Sequence, residues 1–142
     1  MPVAAKLFGF RYTTDQQFEA VIRACADRDS TWISEGIVRS YVGLHEAGFA
    51  HSVEVWREGE LVGGLYGVHL GGAFFGESMF HRASDAAKAA LVHLAGRLRE
   101  RGFRMLEIQM ITPLTEQFGA QHVPRADYGR LLAEAVAADC RW

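Results

Sequence analysis

The segment Gly63–Phe80, GGLYGVHLGGAFFGESMF, constrains the fold most, because it places six glycines among aromatic and aliphatic residues. A glycine inside a strand leaves no side chain to pack, so clustered glycines indicate bulges, sharp bends or a close approach of a ligand to the backbone. The segment also carries one carboxylate, Glu77, within an apolar run. It is therefore the first candidate for a binding surface. The alternative is an ordinary β-meander with glycine turns, and composition alone favours it.

Length and composition predict one globular domain, residues 1–142, that buries its own core. Apolar residues make up 49% of the chain and charged residues 23%, as in ordinary soluble proteins. Neither cysteine, Cys25 or Cys140, lies in a CxxC motif, which favours a reducing, cytoplasmic location and argues against a disulfide framework or a zinc site. No apolar run is long enough for a signal peptide or a membrane span, so we expect no membrane association.

The charge pattern gives no general sign of nucleic-acid binding, because the formal net charge is -2. The nearest basic cluster is interrupted by Glu100 and is more typical of a solvated helix end, where arginines are favoured by the helix dipole. Its members are Arg97, Arg99, Arg101 and Arg104. Any contact with nucleic acid is therefore expected to be local.

Apolar residues at helical spacing predict two helices before the glycine-rich segment. The first covers Asp15–Ala26, with Thr14 or Asp15 as its N-cap, and the second covers Ser34–Ala47. Alternation then predicts three antiparallel strands, HSVEVW (51–56), LVGGLYGV (61–68) and AFFGESMF (73–80), joined through EGE and HLGG. The apolar positions of the two helices are Phe18, Val21, Ile22, Cys25, Ile37, Val38, Tyr41, Val42 and Leu44.

The second half of the chain predicts a helix, a strand and a tail. The alanine-rich segment Ser84–Arg101 predicts a helix on the sheet, capped by Ser84 or Asp85. Met105–Ile111 predicts a strand with Glu107 on one of its faces. TPLTEQFGA (112–120) predicts a short helical turn, and ADYGRLLAEAVA (126–137) a last helix.

This order of elements is the plan of the acyltransferase fold best known from N-acetyltransferases that use coenzyme A. We therefore predict an α/β (α+β) class and a GNAT-like fold, with a mixed, mostly antiparallel sheet and flanking helices. Those enzymes hold pyrophosphate on a glycine-containing loop at the start of the helix that follows the meander. Here that position is FHRASDAAKAA, with no glycine between Phe80 and Gly96 and with acidic Asp85 in the phosphate position. We expect neither coenzyme A nor another cofactor to bind.

Several stretches between Thr31 and Tyr128 carry a more specific resemblance. They are TWI (31–33), LHEAGFAHSVEVWREGELVGGLYGV (44–68), FFGESMF (74–80), ALVHL (90–94), the glutamine of EIQ and FGAQHVPRADY (118–128). Together they resemble the leucyl/phenylalanyl-tRNA-protein transferases of bacteria. Members of that family move an amino acid from a charged tRNA to the N-terminal amine of a protein that begins with Arg or Lys, which marks it for degradation. The resemblance implies an aminoacyltransferase that acts on an aminoacyl-tRNA ester.

The resemblance also implies the substrate contacts. Glu77 matches a carboxylate that would hold the cationic amino group of the aminoacyl residue; its alternative is a strand-end glutamate paired with an arginine. Trp32 matches a tryptophan near the terminal adenosine of the tRNA 3′ acceptor end, where stacking needs no particular base. A core tryptophan is the alternative for that residue. An apolar pocket, which would favour Leu, Phe or Met, is expected from Leu65, Phe74, Leu91, Leu94 and Leu98.

The catalytic pair implied by the resemblance is Glu107 and Gln109. Aminolysis of an ester requires a neutral amine held close to the carbonyl and donors for the oxyanion. The family uses an Asp-x-Gln pair, in which the amide orients the amine and the carboxylate draws its proton. Residues two apart in a strand point to one face, although this carboxylate is one methylene longer than aspartate. A solvated strand face would show the same residues.

The chain also departs from the family pattern. The family has a separate N-terminal domain that supplies part of the acceptor-end surface, and we expect that domain to be absent here. His81 replaces a serine, and Leu114 replaces a common histidine. Two hypotheses remain: an aminoacyltransferase acting on the amine of a protein N-terminus, peptide or small molecule, or a non-catalytic module that recognises a peptide terminus or an aminoacyl group.

Overall fold

The structure is a computed structural model that describes residues 9–27, 31–108 and 121–142. Nine elements lie within these ranges. In chain order they are β1 (Arg11–Thr14), α1 (Phe18–Ala26), α2 (Glu35–Glu46), β2 (Ala50–Arg57), β3 (Glu60–Leu70), β4 (Ala73–His81), α3 (Ala86–Glu100), β5 (Met105–Glu107) and α4 (Arg125–Ala137).

The described strands form one mixed sheet in the order β1-β2-β3-β4-β5. The first four strands pair antiparallel. Strand β5 joins β4 in parallel, because α3 crosses over between them. The predicted α/β class and GNAT-like plan, with a mostly antiparallel sheet, are confirmed.

Helices cover both faces of the sheet and define two hydrophobic clusters. Side chains of α3 pack on one face, in a cluster that includes Leu65 of β3. Helices α1 and α2 pack on the other face, in a cluster that includes Tyr66. Leu65 and Tyr66 point to opposite faces because side chains alternate along a strand. The predicted apolar stripe of the first helix, formed by Phe18, Val21, Ile22 and Cys25, is buried as expected.

The predicted cap of the first helix is wrong. Helix α1 begins at Phe18, because Asp15 is bonded to β2 instead: its carboxylate accepts hydrogen bonds from the Ser52 amide at 2.9 Å and His51 Nδ1 at 2.8 Å. Asp85, one of the two predicted caps of the third helix, does occupy the N-cap position of α3, with a positive φ of 67° and no side-chain cap bond. Helix α2 is capped by Ser34, whose hydroxyl accepts from the Ile37 amide at 3.3 Å.

The ends of the predicted segments also differ from the observed ones. Strand β1 was not predicted, and it pairs with β2 from Arg11 opposite Trp56 to Thr14 opposite Val53. The predicted strand Met105–Ile111 is observed only over Met105–Glu107. Its residues from Gln109 onward, like the predicted helical turn at 112–120, lie outside the described residues.

The glycine-rich segment is explained first by packing. A β-carbon on Gly67 would overlap the Phe75 carbonyl oxygen and lie 2.5 Å from a ring carbon of Phe74. Gly71 has a φ of 53° in the β3–β4 turn, and a β-carbon there would overlap the Val136 carbonyl oxygen of α4. Because these two positions have no side chain, the Phe74 ring can pack against Gly67 and helix α4 can pack against Gly71.

Gly67→Ala is expected to lower the free energy of unfolding by about 1–3 kcal/mol, because the new methyl group overlaps backbone atoms that cannot move aside. Urea unfolding measures the loss. The matched control is Gly96→Ala in α3, where a methyl group would meet no atom within 4 Å beyond the helix's own backbone; it should stabilise the protein by about 0.5–1 kcal/mol. Equal stability of Gly67→Ala and the wild type would contradict the packing explanation.

Candidate active site

Strands β4 and β5 pair in parallel at three positions among the described residues. The pairs are Ala73 with Met105, Phe74 with Leu106, and Phe75 with Glu107. Strand β4 continues to His81, and its residues 76 and 78–81 pair with β3. Residues 77–79 of β4 are half-buried.

Glu77 lies at a β-bulge in the half-buried stretch 77–79 of β4. Tyr66 of β3 is opposite Ser78, while Gly67 is opposite Gly76, so Glu77 is the extra residue between them. A bulge can re-aim a side chain. The Tyr41 hydroxyl of α2 donates a hydrogen bond to the Glu77 carboxyl group, which places that carboxyl on the α2 face of the sheet.

Burial raises the pKa of the Glu77 carboxyl group, the Tyr41 hydrogen bond lowers it, and the charge of Glu107 raises it again, with a net upward shift. Burial, with a contribution from Glu77, also raises the pKa of Tyr41 to about 12. Two carboxyl groups whose charges are coupled in this way create a local negative potential that would be relieved by a bound cation.

Glu107 is the last residue of β5 and lies opposite Phe75. The Tyr128 hydroxyl of α4 donates a hydrogen bond to its carboxylate oxygen Oε2. The same bond raises the pKa of Tyr128. Its predicted catalytic partner, Gln109, lies outside the described residues, so their relative positions stay a prediction.

Trp32 precedes α2 and is 50% exposed, so it is not the core tryptophan of the alternative interpretation. Its ring meets Tyr41 edge-on at 6.4 Å between centroids, and Tyr41 meets Tyr66 at 5.3 Å. The aromatic contacts therefore lead from an exposed indole to the tyrosine that bonds Glu77. The structure brings Trp32 and Glu77 to the same face of the sheet.

Four of the five predicted pocket residues lie together in the packed α3-side cluster, and the fifth, Leu91, is also buried. Phe74 is 0% exposed and stacks on Trp142 at 5.4 Å between centroids. This cluster lies on the α3 face of the sheet, whereas the carboxyl group of Glu77 lies on the α2 face. The five buried residues of the predicted pocket are Leu65, Phe74, Leu91, Leu94 and Leu98.

Comparison with known proteins decides the family. Residues 4–133 match the family model described as leucyl/phenylalanyl-tRNA protein transferase. The chain belongs to that family. The match is longer than the resemblance between Thr31 and Tyr128 suggested, since it also takes in the segment that precedes α2.

Individual leucyl/phenylalanyl-tRNA–protein transferases are closely similar to the chain. The relative from Rubrobacter xylanophilus is 60% identical over 126 residues, which cover 88% of this chain and 66% of the relative. The relative from Paramagnetospirillum magneticum is 58% identical over 132 residues, covering 90% of this chain and 63% of the relative. The chain thus spans slightly less than two thirds of the length of these relatives.

Solved structures of low sequence identity share the fold of the chain. A predicted acetyltransferase from Clostridium acetobutylicum, solved with acetyl-CoA, superposes with a TM-score of 0.64 at 9% identity, covering 82% of this chain and 92% of that one. The ribosomal-protein-S18-alanine N-acetyltransferase of Escherichia coli gives 0.63 at 15% identity, with coverage of 81% and 79%. At such low identity the likeness extends to the fold alone, and the exclusion of coenzyme A stays a prediction.

Membrane spans and metal clusters are both lacking in the described part of the chain. None of the helices in the described ranges is long and apolar enough to cross a membrane. No group of three or more His, Cys, Asp or Glu residues there could hold a metal ion.

Two tyrosines that contact the candidate site residues are not found by the sequence analysis. Tyr41 was assigned only to an apolar helix stripe, and Tyr128 only to a resembling stretch. A buried tyrosine usually finds a hydrogen-bond partner for its hydroxyl, which is the signal that could have singled out Tyr41. The partner of Tyr128 is 21 residues away in sequence, and no local pattern indicates it.

Glu77→Gln is expected to raise the free energy of unfolding at neutral pH. The pKa of Glu77 is raised above its ordinary value of 4.5 on folding, so the folded state favours the protonated carboxyl. Stability is therefore lost as pH rises from about 4.5 through the folded pKa, and glutamine avoids this loss. Urea unfolding should show the gain at pH 7 but not below about pH 4. Exposed Glu60→Gln serves as control, and a gain that does not vary with pH would contradict the assignment.

Proposed function

We propose that this chain carries the site that transfers an apolar aminoacyl group from the 3′ acceptor end of an aminoacyl-tRNA to the amine of a protein N-terminus or peptide. The observation that supports it best is a pair of carboxyl groups on the neighbouring strands β4 and β5, Glu77 and Glu107, near enough for the charge of Glu107 to contribute to the raised pKa of Glu77. Each accepts a hydrogen bond from a tyrosine of a neighbouring helix.

The donor ester would be held by contacts of three kinds. Glu77 provides a half-buried negative charge for the cationic amino group of the aminoacyl residue. The exposed indole of Trp32 provides a stacking surface for the terminal adenosine. Leu65, Phe74, Leu91 and Leu94 remain the proposed contacts of the apolar side chain, and to reach them the substrate would have to displace Trp142 from Phe74.

The proposed transfer step balances without a co-reactant. The neutral acceptor amine attacks the ester carbonyl carbon, a C–N bond forms, and the amine gives a proton to the Glu107 carboxylate. The ester C–O bond then breaks, and the departing ribose oxygen takes that proton from Glu107. Gln109 is proposed to orient the amine through its side-chain amide. Glu107 would act first as general base and then as general acid, and Gln109 would position the nucleophile.

A transfer assay tests the proposal. Radiolabelled Leu-, Phe- and Met-tRNA are offered with peptides that begin with Arg or Lys, and Ser-tRNA serves as the polar donor control. Label should reach the peptide from the three apolar donors and not from Ser-tRNA. If no donor gives transfer while a full-length relative transfers in parallel, the proposal fails. Binding of a phenylalanyl-adenosine analogue in that case would favour the non-catalytic recognition module.

A further inference from the structure

Tyr128 of α4 contacts the carboxylate that we assign as the proton acceptor. Its hydroxyl donates a hydrogen bond to Oε2 of Glu107, at the end of β5. Tyr128 lies in the first turns of α4 and is only half-buried, so its hydroxyl is not required to fill the core. The contact connects α4 to the end of β5.

The opposite end of α4 is anchored on the sheet. The Gly72 amide donates a hydrogen bond of 2.7 Å to the Ala135 carbonyl group, and the β3–β4 turn at Gly71 packs directly on Val136. Because an α-helix is stiff over this length, anchoring its last turn also fixes where its first turns lie. Tyr128 is thus held beside β5 by the backbone contacts of α4.

Glu107 needs such support because of its length. Glutamate has one more rotatable bond than the aspartate that the family resemblance places here, so more side-chain conformers compete with the productive one. Misplacement of a reacting group by about 1 Å can cost about 10²-fold in rate. A hydrogen bond to Oε2 selects a conformer and leaves Oε1 to accept the proton.

We propose that Tyr128 is a positioning residue for aminoacyl transfer, which orients the Glu107 carboxylate toward the acceptor amine from α4. The inference rests on the function proposed above and names a residue outside its catalytic pair. It assigns a role in transfer to α4, a helix that provides none of the predicted site residues.

The test is Tyr128→Phe in the full chain, which removes only the hydroxyl. The kcat for transfer from Phe-tRNA should fall about tenfold while the KM for Phe-tRNA is unchanged, a part of the 10²–10⁴-fold that a positioned acid–base group contributes. The control is Tyr12→Phe, since the buried Tyr12 hydroxyl has no hydrogen-bond partner among the described residues.

A double-mutant cycle separates positioning from a general structural effect. In a Glu107→Gln background, Tyr128→Phe should change kcat by less than about twofold, since residues that act as one unit are not additive. If the wild type transfers but Tyr128→Phe leaves kcat unchanged, or if the two substitutions are additive, the inference is wrong and the proposed function stands. If the wild type does not transfer where a full-length relative does, the proposed function fails, and the role of Tyr128 fails with it.

Discussion

Glu107→Gln is expected to lower kcat for aminoacyl transfer by about 10²–10⁴-fold, the usual contribution of a positioned general base. Glutamine keeps the size of the side chain and can still accept the hydrogen bond from Tyr128, but it cannot take a proton from the attacking amine. The KM for the aminoacyl-tRNA should change little, since Glu107 is assigned to the acceptor amine. Single-turnover transfer from Phe-tRNA measures the rate.

The matched control for this substitution is Glu60→Gln, an exposed glutamate at the start of β3. It should transfer at the wild-type rate. A higher pH increases the fraction of neutral acceptor amine equally for both proteins, so the deficit of Glu107→Gln should persist as the pH approaches the pKa of that amine, about 8. A variant with unchanged kcat would exclude Glu107 as the proton acceptor and favour the solvated strand face.

Phe74→Ala is expected to lower the free energy of unfolding by about 3–5 kcal/mol, the usual cost of truncating a fully buried phenylalanine. Phe74 is 0% exposed and packs against Trp142 in the α3-side cluster. Since whole domains are stable by only about 5–15 kcal/mol, the loss is a large fraction of the total. Urea unfolding at constant pH measures it.

The control for Phe74→Ala is Phe49→Ala, because Phe49 is 45% exposed. Its loss of stability should be below about 1 kcal/mol. The comparison also tests the proposed aminoacyl pocket. If Phe74 lined a space that is open before the donor binds, its truncation would cost no more stability than that of Phe49 and would act mainly on the KM for Phe-tRNA.

The parts of the fold that follow from local patterns could be predicted. The stripe of α1 and the three antiparallel strands depend on neighbouring residues, and the sequence displays them directly. Strand β1 could not be found in this way. Its four residues, RYTT, have no distinctive alternation, and they form a strand because β2 offers them a pairing edge.

The site was predicted less completely, for a similar physical reason. Resemblance supplied Glu77 and Glu107, but the bulge that re-aims Glu77 depends on the pairing of two strands, and Tyr128 reaches Glu107 through the placement of a whole helix. Asp15 illustrates the same limit: local chemistry favours a helix cap, yet its carboxylate bonds the backbone of Ser52 on a distant strand. Tertiary contacts overrode a sound local preference.

The parallel seam between β4 and β5 also sets how the site can be lost. Among the described residues, eight residue pairs join β3 to β4 and three join β4 to β5. Short, edge-located pairings open by local fluctuation well before a domain unfolds, and their amides exchange hydrogen fastest. Glu107 and Glu77 lie on opposite sides of this seam, so its opening would separate them while the antiparallel strands stayed intact. Mild warming or denaturant is therefore expected to abolish the proposed transfer while most of the amide protection and the far-UV spectrum are retained.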